Sequence, residues 1–600
     1  MTERSKKEKT GPVEATTKVT TTGVGVQWPP PWFRPDWLWG LLLILTVLLT
    51  YAPVWQAGYI WDDDRLLTGN PCIVGPLGLK EIWTTSAADI CPLVLTTFWV
   101  EHALWGLAPL PYHLVNVLLH GACAVVLWRV LRSLRVQGAW LGAALWALHP
   151  VAVESVAWIT EMKNTESGLF FLLSILFFVR WLRARDLDGR TGGGWNYALT
   201  LLFAALAMAS KSSTVILPVV LCLCAWWMER RWYWRNLARV VPILLMSIAA
   251  SALSIWTQGL QLATVTDPQW VRTWPERLAT AGDAIWFYLG KLLWPHPLVA
   301  IYPQWLIDAM QRVSYLPLLT LIIILSVIWL KRESWSRACF FSFAYFLTAL
   351  LPVFGLIENP IFRFSLVFDH FQYLASIGPL ALAGTALADF SDFIVPKRRW
   401  LQRSLCAGLL LIIGMASWQR TSVYESQETL WTDTLAKNPN CWVGHNDLGL
   451  VLLNREQVDE ALKHFQKALE INPNYVEAHS NLGLALFQKG QVQEAVAQYQ
   501  KALEINPNSF LGHANLGNAF FKKGQLDEAV AEYEKASEID PNYFAVHYNL
   551  GLAFFRKGQL NEAIAQFQET LRSKPDFRPA KANLEEAQAL ERQKEGHKKR

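Results

Sequence analysis

Eleven stretches of this 600-residue chain are as long and apolar as a bilayer-spanning helix, and they restrict its fold more than anything else in it. About 20 apolar residues in helical form cross a hydrocarbon core, and such a helix satisfies its own backbone hydrogen bonds there. The stretches lie near 36–55, 111–130, 138–158, 165–182, 196–210, 212–228, 240–257, 314–330, 338–356, 371–390 and 404–418. A further apolar segment, 281–295, ends at Trp294-Pro295-His296-Pro297 and is short enough to be interfacial or re-entrant. Basic clusters orient the set. They occur at 4–9, at Arg129/Arg132/Arg135, at Arg180/Arg183/Arg185/Arg190, at Arg230/Arg231/Arg235/Arg239, at Lys331/Arg332/Arg337 and at Lys397/Arg398/Arg399/Arg403. With a cytoplasmic N-terminus and a non-crossing 281–295, every cluster falls inside, as the positive-inside rule requires. An odd number of spans then sends residues 56–92, and everything after about 419, to the extracytoplasmic face.

Composition narrows the remaining choices. The net charge is +5, and no basic stripe interleaves with aromatics, so nucleic acid is not an expected partner. Residues 1–35 are rich in Thr, Lys and Gly without an apolar core, and read as a disordered cytoplasmic tail rather than a cleavable signal. Eight cysteines do not make a disulfide scaffold, and most sit in apolar runs; Cys72 and Cys91 share one polar loop, where a pair is open to them.

From residue 440 the sequence repeats every 34 residues, the tetratricopeptide (TPR) period. Pro473, Pro507, Pro541 and Pro575 end successive units, and Leu-Gly pairs recur at 448–449, 482–483, 516–517 and 550–551. Ala461, Ala495, Ala529 and Ala563 let paired helices approach, with Phe465, Tyr499, Tyr533 and Phe567 filling the space between units. His445, His479, His513 and His547 hold one repeated position, which suits packing because side chains a unit apart cannot share a metal. Asn481, Asn515 and Asn549, with Asp447 in the first unit, form a column that resembles the asparagine ladder of the O-GlcNAc transferase superhelix. That ladder grips an extended peptide; a helix-surface Asn fixing a local turn is the other reading. Residues 420–439 read as a half-repeat connector, 440–591 as the TPR superhelix, and 592–600 as a basic frayed tail.

Ionisable residues beside or within the spans are functional candidates, because a bilayer makes charge expensive. Asp62-Asp63-Asp64 follow the first span. Their mutual repulsion raises the pKa of at least one, so a general base, a divalent-metal cluster and a solvated acidic turn are all open. His113, Asn116 and His120 share a helical face. His149 and Glu154 close the third span, Glu161 and Lys163 follow it, Lys211 interrupts the stretch between the fifth and sixth, and Arg363, Asp369, His370 and Tyr373 precede the tenth. These place acids and bases on one membrane face, suited to a charged lipid-linked substrate.

In order along the chain, Tyr59-Ile60-Trp61-Asp62-Asp63 with Asn70-Pro71, His113-x-x-Asn116-x-x-x-His120, His149-Pro150-x-x-x-Glu154, Lys211-Ser212 and Asp369…Tyr373…Ser376-Ile377-Gly378 carry a resemblance. The chain resembles the transmembrane-and-TPR O-mannosyltransferase family of the GT-C glycosyltransferase superfamily, in a bacterial form. The resemblance implies an all-α chain: a polytopic GT-C-type membrane domain of about eleven spans at 36–419, followed by a TPR α-solenoid. It implies transfer of mannose or another hexose from a polyprenyl-phosphate donor to a protein hydroxyl, by inversion, at the outer face of the cell (inner) membrane. Asp62 or Asp63 is then the catalytic base, and Lys211, Arg363 and His370 hold the donor phosphate. The resemblance fixes no cofactor, and a divalent metal is compatible with it. Asp369-His370-Phe371-Gln372-Tyr373 stands where eukaryotic members carry Glu-Arg-Tyr-Leu-Tyr, so a titratable His replaces a fixed Arg. A membrane-anchored TPR scaffold and a lipid-linked sugar transporter are the alternatives; a transporter calls for polar residues at the midplane.

Overall fold

A computed structural model describes residues 36–85, 91–187, 194–263, 272–332, 336–357, 359–394 and 398–598. The expected disordered tail, with its basic cluster at 4–9, lies outside the described residues, as do Arg190 and Lys397. Those described form helices and turns, with no strand among them.

In the first two thirds the helices are α1 (Asp36–Thr50), α2 (Leu79–Thr84), α3 (Pro92–Trp105), α4 (Pro109–Ser133), α5 (Ala139–Leu148), α6 (Val153–Ala157), α7 (Met162–Leu182), α8 (Gly194–Ser210), α9 (Leu217–Glu229), α10 (Trp234–Ala263), α11 (Trp274–Leu293), α12 (Leu316–Leu330), α13 (Ser336–Leu350), α14 (Ile377–Ile394) and α15 (Arg399–Thr421). Among the described residues and with their short flanking turns, α4, α7, α9, α10, α12, α13, α14 and α15 are eight helices long and apolar enough to cross a membrane; α5 and α6, bent by 56° from each other, are a broken span or a re-entrant loop. Helices α1 and α8 are apolar but shorter. Together these elements coincide with the eleven apolar stretches. Segment 281–295 is the end of the longer α11, which opens on a Thr273/Glu276 capping box and is not apolar enough to join them.

The bend has a sequence cause. Pro150 lacks an N–H and biases the residue before it away from helix, and His149 takes extended angles, φ −74° and ψ 134°. Elsewhere small residues bring helices close. A Cβ on Gly384 would lie 2.5 Å from the Gly142 backbone nitrogen, so α14 crosses α5 at backbone distance.

One end of the bundle is basic. Arg129 and Arg132 reach Asp36 at 3.3 and 2.6 Å, Arg183 donates to the Ser133 carbonyl, and Arg337 donates to the Trp226 and Trp227 carbonyls. Helix α4 is 25 residues long, so its His113 end lies about 28 Å from Arg132 at 1.5 Å per residue. That far end carries the polar loops and the repeats.

Helix α16 (Gln427–Lys437) joins the bundle to the paired helices α17 (Trp442–Asn454) and α18 (Val458–Ile471), α19 (Val476–Gln488) and α20 (Val492–Ile505), α21 (Phe510–Lys523) and α22 (Leu526–Ile539), and α23 (Phe544–Arg556) and α24 (Leu560–Ser573), with α25 (Arg578–Lys598) as the cap. The repeated histidines pack, as their spacing requires. The rings of His445, His479, His513 and His547 each reach the carbonyl of the proline six residues earlier and a side chain nineteen residues later: His464, Gln498, Glu532 and Gln566. Each therefore ties the first helix of its unit to the second.

The connector is bonded to the bundle. Lys437 donates to the Leu298 carbonyl at 3.0 Å, Asn438 to the Ile301 carbonyl at 3.1 Å, and the Gly58 amide to the Glu425 carbonyl at 3.0 Å. Asp433 pairs with both Arg420, at 2.7 Å, and Lys437, at 2.6 Å.

Candidate functional site

The three adjacent aspartates part company. Asp63 is fully buried, and its two carboxylate oxygens accept the backbone amides of Ile60 and Thr160 at 2.9 and 3.0 Å. Burial pushes its carboxyl up to about 7, against the pull of those amides. Repulsion from Asp62 is the smallest contribution, so desolvation and not like charge perturbs this acid. Asp64 faces outward and accepts the Thr68 hydroxyl at 3.0 Å. Asp62 alone of the three lines a cavity of about 400 Å³. Trp61 beside it has φ +41°, an unusual angle for a bulky residue, imposed as the chain turns so that Asp63 points in and Asp62 into the cavity. Among the described residues no group of three or more His, Cys, Asp or Glu side chains converges as a metal site. The metal reading of the aspartate run therefore loses its geometry. No disulfide joins Cys72 to Cys91.

The bend after α5 builds the adjoining wall. Asn116 donates to the carbonyls of Ser155, Val156 and Trp158 at 3.3, 3.0 and 3.2 Å, and accepts the Thr165 hydroxyl. One side-chain amide thus holds the irregular backbone that the bend exposes. Beyond it, Lys163 pairs with Glu161 at 2.7 Å, Asn164 donates to Glu161, and Lys211 donates to the Asn164 amide oxygen. Lys163, Glu161 and Lys211 all line the cavity.

The segment before α14 supplies the third wall. His370 Nδ1 lies 3.1 Å from Glu154, whose other oxygen accepts the His370 amide at 3.0 Å, so one buried carboxylate fixes both ring and backbone. Asp369 turns away and accepts the Tyr302 hydroxyl at 2.9 Å; burial and the nearby Glu154 charge raise its pKa. Arg363 lies over the Phe364 ring, and its Nε is buried with no partner.

Of the residues singled out in the sequence, Asp62, Cys91, Glu161, Lys163, Lys211, Arg363 and His370 line one cavity. The rest support it from outside. His113 is buried, with neither ring nitrogen completing a hydrogen bond. His120 bridges the Tyr373 hydroxyl at 2.8 Å and the Ala147 carbonyl at 2.9 Å, and His149 reaches the Leu292 carbonyl at 3.2 Å. Trp158, Thr160 and Asn164 escaped notice in the sequence. The signal was the polar run Thr160–Ser167 inside an otherwise apolar stretch, which a helix meant only to sit in lipid has no use for.

The repeats reach this site. Trp431 of α16 packs edge-on against Trp61 at 5.3 Å. Asp447, in the first repeat, is pushed up to about 7, chiefly by burial and further by the charges of Asp62, Glu477 and Asp64. The asparagine column is partly spoken for: Asn481 donates to Asn446 at 3.0 Å and Asn549 to Asn518 at 2.9 Å, each in the preceding unit.

Models of the TPR repeat match residues 449–490, 483–524 and 517–558, and a tetratricopeptide repeat model matches 544–577. The protein O-mannosyl-transferase TMTC2 of Mus musculus is 31% identical over 187 residues, 29% of this chain and 22% of that protein. The protein O-mannosyl-transferase F38B6.6 of Caenorhabditis elegans is 22% identical over 453 residues, 72% of this chain and 62% of that protein. The repeats begin only at about residue 440, so an alignment of that extent includes the membrane helices. The chain is similar to these O-mannosyl-transferases. It spans less than two thirds of the length of either. Among solved structures, YrrB, described as a TPR protein with an unusual peptide-binding site, is 23% identical, with 29% of this chain and 86% of that one covered at a TM-score of 0.24.

Proposed function

We propose that the protein is a membrane glycosyltransferase that moves a hexose, mannose first among candidates, from a polyprenyl-phosphate carrier to a hydroxyl of a protein acceptor on the extracytoplasmic face, and that its TPR array recruits the acceptor. The observation that carries this reading is the one cavity that Asp62 lines together with Lys163, Lys211, Arg363 and His370. Glu161, the other carboxylate there, is committed to Lys163 and Asn164. Asp62 carries no such ion pair among the described residues, which leaves it to act as the base. It takes the acceptor proton as the acceptor oxygen attacks the anomeric carbon; the bond from that carbon to phosphate breaks, and its electron pair leaves on the phosphate. Fixed cations at the leaving oxygen lower the barrier because they gain interaction as charge develops.

The half-buried Arg363, with its unpartnered Nε, suits a phosphate better than an exposed arginine would. Sugar transfer by membranes containing Asp62→Asn, measured with a polyprenyl-phosphate hexose and an acceptor protein, is the decisive experiment. We expect a loss of at least about 100-fold, the usual effect of removing a general base. Transfer at the unaltered rate overturns the assignment. The grouping of the basic residues at the opposite end of the bundle supports an outward-facing cavity under the positive-inside rule.

A further inference from the structure

Among the described residues, three buried side-chain donors without a hydrogen-bond partner line this cavity: Arg363 Nε, Trp158 Nε1 and Thr160 Oγ1. The first belongs with the phosphate. The other two do not need a phosphate to explain them. Trp158 is 4% exposed and Thr160 1% exposed, so neither donor is satisfied by bulk water. Thr160 Oγ1 lies against the Asp63 carboxylate and helps to lower its pKa, without completing a full hydrogen bond to it. A buried indole N–H with nothing to donate to carries a cost that a bound acceptor atom removes.

The surroundings say what kind of acceptor. Trp158 is stacked on Trp61, with ring centroids 5.1 Å apart and planes 10° from parallel, and Phe364 closes edge-on against Trp61 at 6.1 Å. The ring of His370 approaches Trp158 edge-on at 6.4 Å. Trp61 is half-buried and lines the cavity next to Asp62, in the strained turn described above. A wall that joins flat aromatic surface to isolated neutral donors matches a ring with C–H faces and hydroxyl edges. It does not match a lipid tail, which offers no acceptor, and a phosphate has the cations instead.

We propose that Trp61, Trp158 and Thr160 form the subsite for the sugar ring of the donor, with Trp158 Nε1–H and the Thr160 hydroxyl donating to sugar oxygens and Trp61 bearing on the ring face. This rests on the sugar-carrier reading of the cavity, and it assigns these residues to binding and discrimination, not to chemistry. Trp158 Nε1 and Thr160 Oγ1 are neutral donors whereas the phosphate has the cations, so removing one neutral donor tests the sugar separately from the phosphate.

The test uses the full-length protein in detergent and two ligands, polyprenyl phosphate with and without an attached hexose, and measures the Kd of each. The unaltered protein binds the sugar-bearing carrier more tightly. Trp158→Phe keeps the apolar ring, Thr160→Val keeps the shape, and each removes one donor. Each reduces the preference for the sugar-bearing carrier about fivefold, the usual effect of one neutral hydrogen bond, and leaves the bare carrier unchanged. That unchanged affinity also reports intact folding. Equal weakening of both ligands overturns the proposal, because these donors would then serve the phosphate; so does a preference that survives both substitutions. Transfer is assayed in parallel. If no sugar is transferred but the preference exists and depends on Trp158, the transferase reading falls and the sugar subsite stands. If sugar is transferred and the preference does not depend on Trp158 or Thr160, the reverse holds.

Discussion

Asp62 and Asp63 are neighbours with different work. Asp63 spends both oxygens on backbone amides, one of them 97 residues further along the chain, and so joins the loop after α1 to the bend before α7. Asp63→Asn replaces one accepting oxygen by a donor facing an N–H. We expect it to cost about 1–3 kcal/mol of stability, read as a lowered melting temperature in detergent, with any activity loss following the unfolding. Asp62→Asn is expected to lose activity without that stability change. Asp447 gives a second contrast at this scale. The later units carry Asn at its position, whereas Asp447 is desolvated and faces Asp62, Glu477 and Asp64. Its carboxyl is raised to about 7, so the folded state holds a proton that the unfolded chain releases near pH 4. Its contribution to stability is therefore full below about pH 4 and is lost as the pH rises through about 7. Asp447→Asn should raise the melting temperature at pH 8, by the equivalent of about 1 kcal/mol or more, and give no gain at pH 4. Full-length protein is needed, because two of the opposing charges come from the membrane domain.

The elements show why polar residues stand inside apolar runs. At the broken α5–α6 span Asn116 donates to the backbone carbonyls at 155, 156 and 158, of which that of Trp158 also accepts the Glu161 amide at 3.2 Å. Asn116→Leu fits the apolar sequence better but takes that donor from them. We expect about 2–3 kcal/mol of destabilisation and weaker donor binding, since Trp158 and Lys163 ride on that segment; thermal melting and a carrier-binding assay check both. In the repeats the constraint is space. A Cβ on Gly483 would fall 2.6 Å from the Tyr499 ring, and the same contact recurs at Gly449, Gly517 and Gly551. Gly483→Ala therefore forces the paired helices α19 and α20 apart and should cost about 1–3 kcal/mol of array stability in a denaturant melt. An alanine in an exposed helix position normally stabilises relative to glycine, so the sign of this result is diagnostic.

At the scale of the whole molecule, the repeat array is fastened next to the cavity. Trp431 meets Trp61, and Arg420, Asp433 and Lys437 form a partly buried ionic junction between the last membrane helix and the connector. Asp433→Ala leaves Arg420, whose side chain is only 7% exposed, without its carboxylate, a change of the kind that costs about 3–5 kcal/mol when the pair is buried and less where water reaches it. We expect freer proteolytic release of the array and a loss of transfer to protein acceptors larger than any loss in carrier binding. Equal losses in both would show that the junction serves only stability.

The division between sequence and tertiary structure follows from range. Apolar length, loop charge and the 34-residue period are local or periodic quantities, so the all-α class, the helical stretches and the repeats could be read before any folding was known. The polar motifs were legible as candidates for the same reason: charge in an apolar run is conspicuous wherever it points. Which of them face one cavity was not legible. Asp62 and Asp63 differ by one residue and by direction, and direction depends on where the Thr160 amide waits, 97 residues further on. Trp158 ended an apolar stretch and Thr160 followed it, with nothing in the sequence to place both on the cavity that Asp62 lines. Helical segments and residues that are costly to bury follow from local composition; which of those costs a neighbour meets and which are left for a ligand depends on the folded arrangement, because a hydrogen-bond partner is a matter of three-dimensional distance and not of position along the chain.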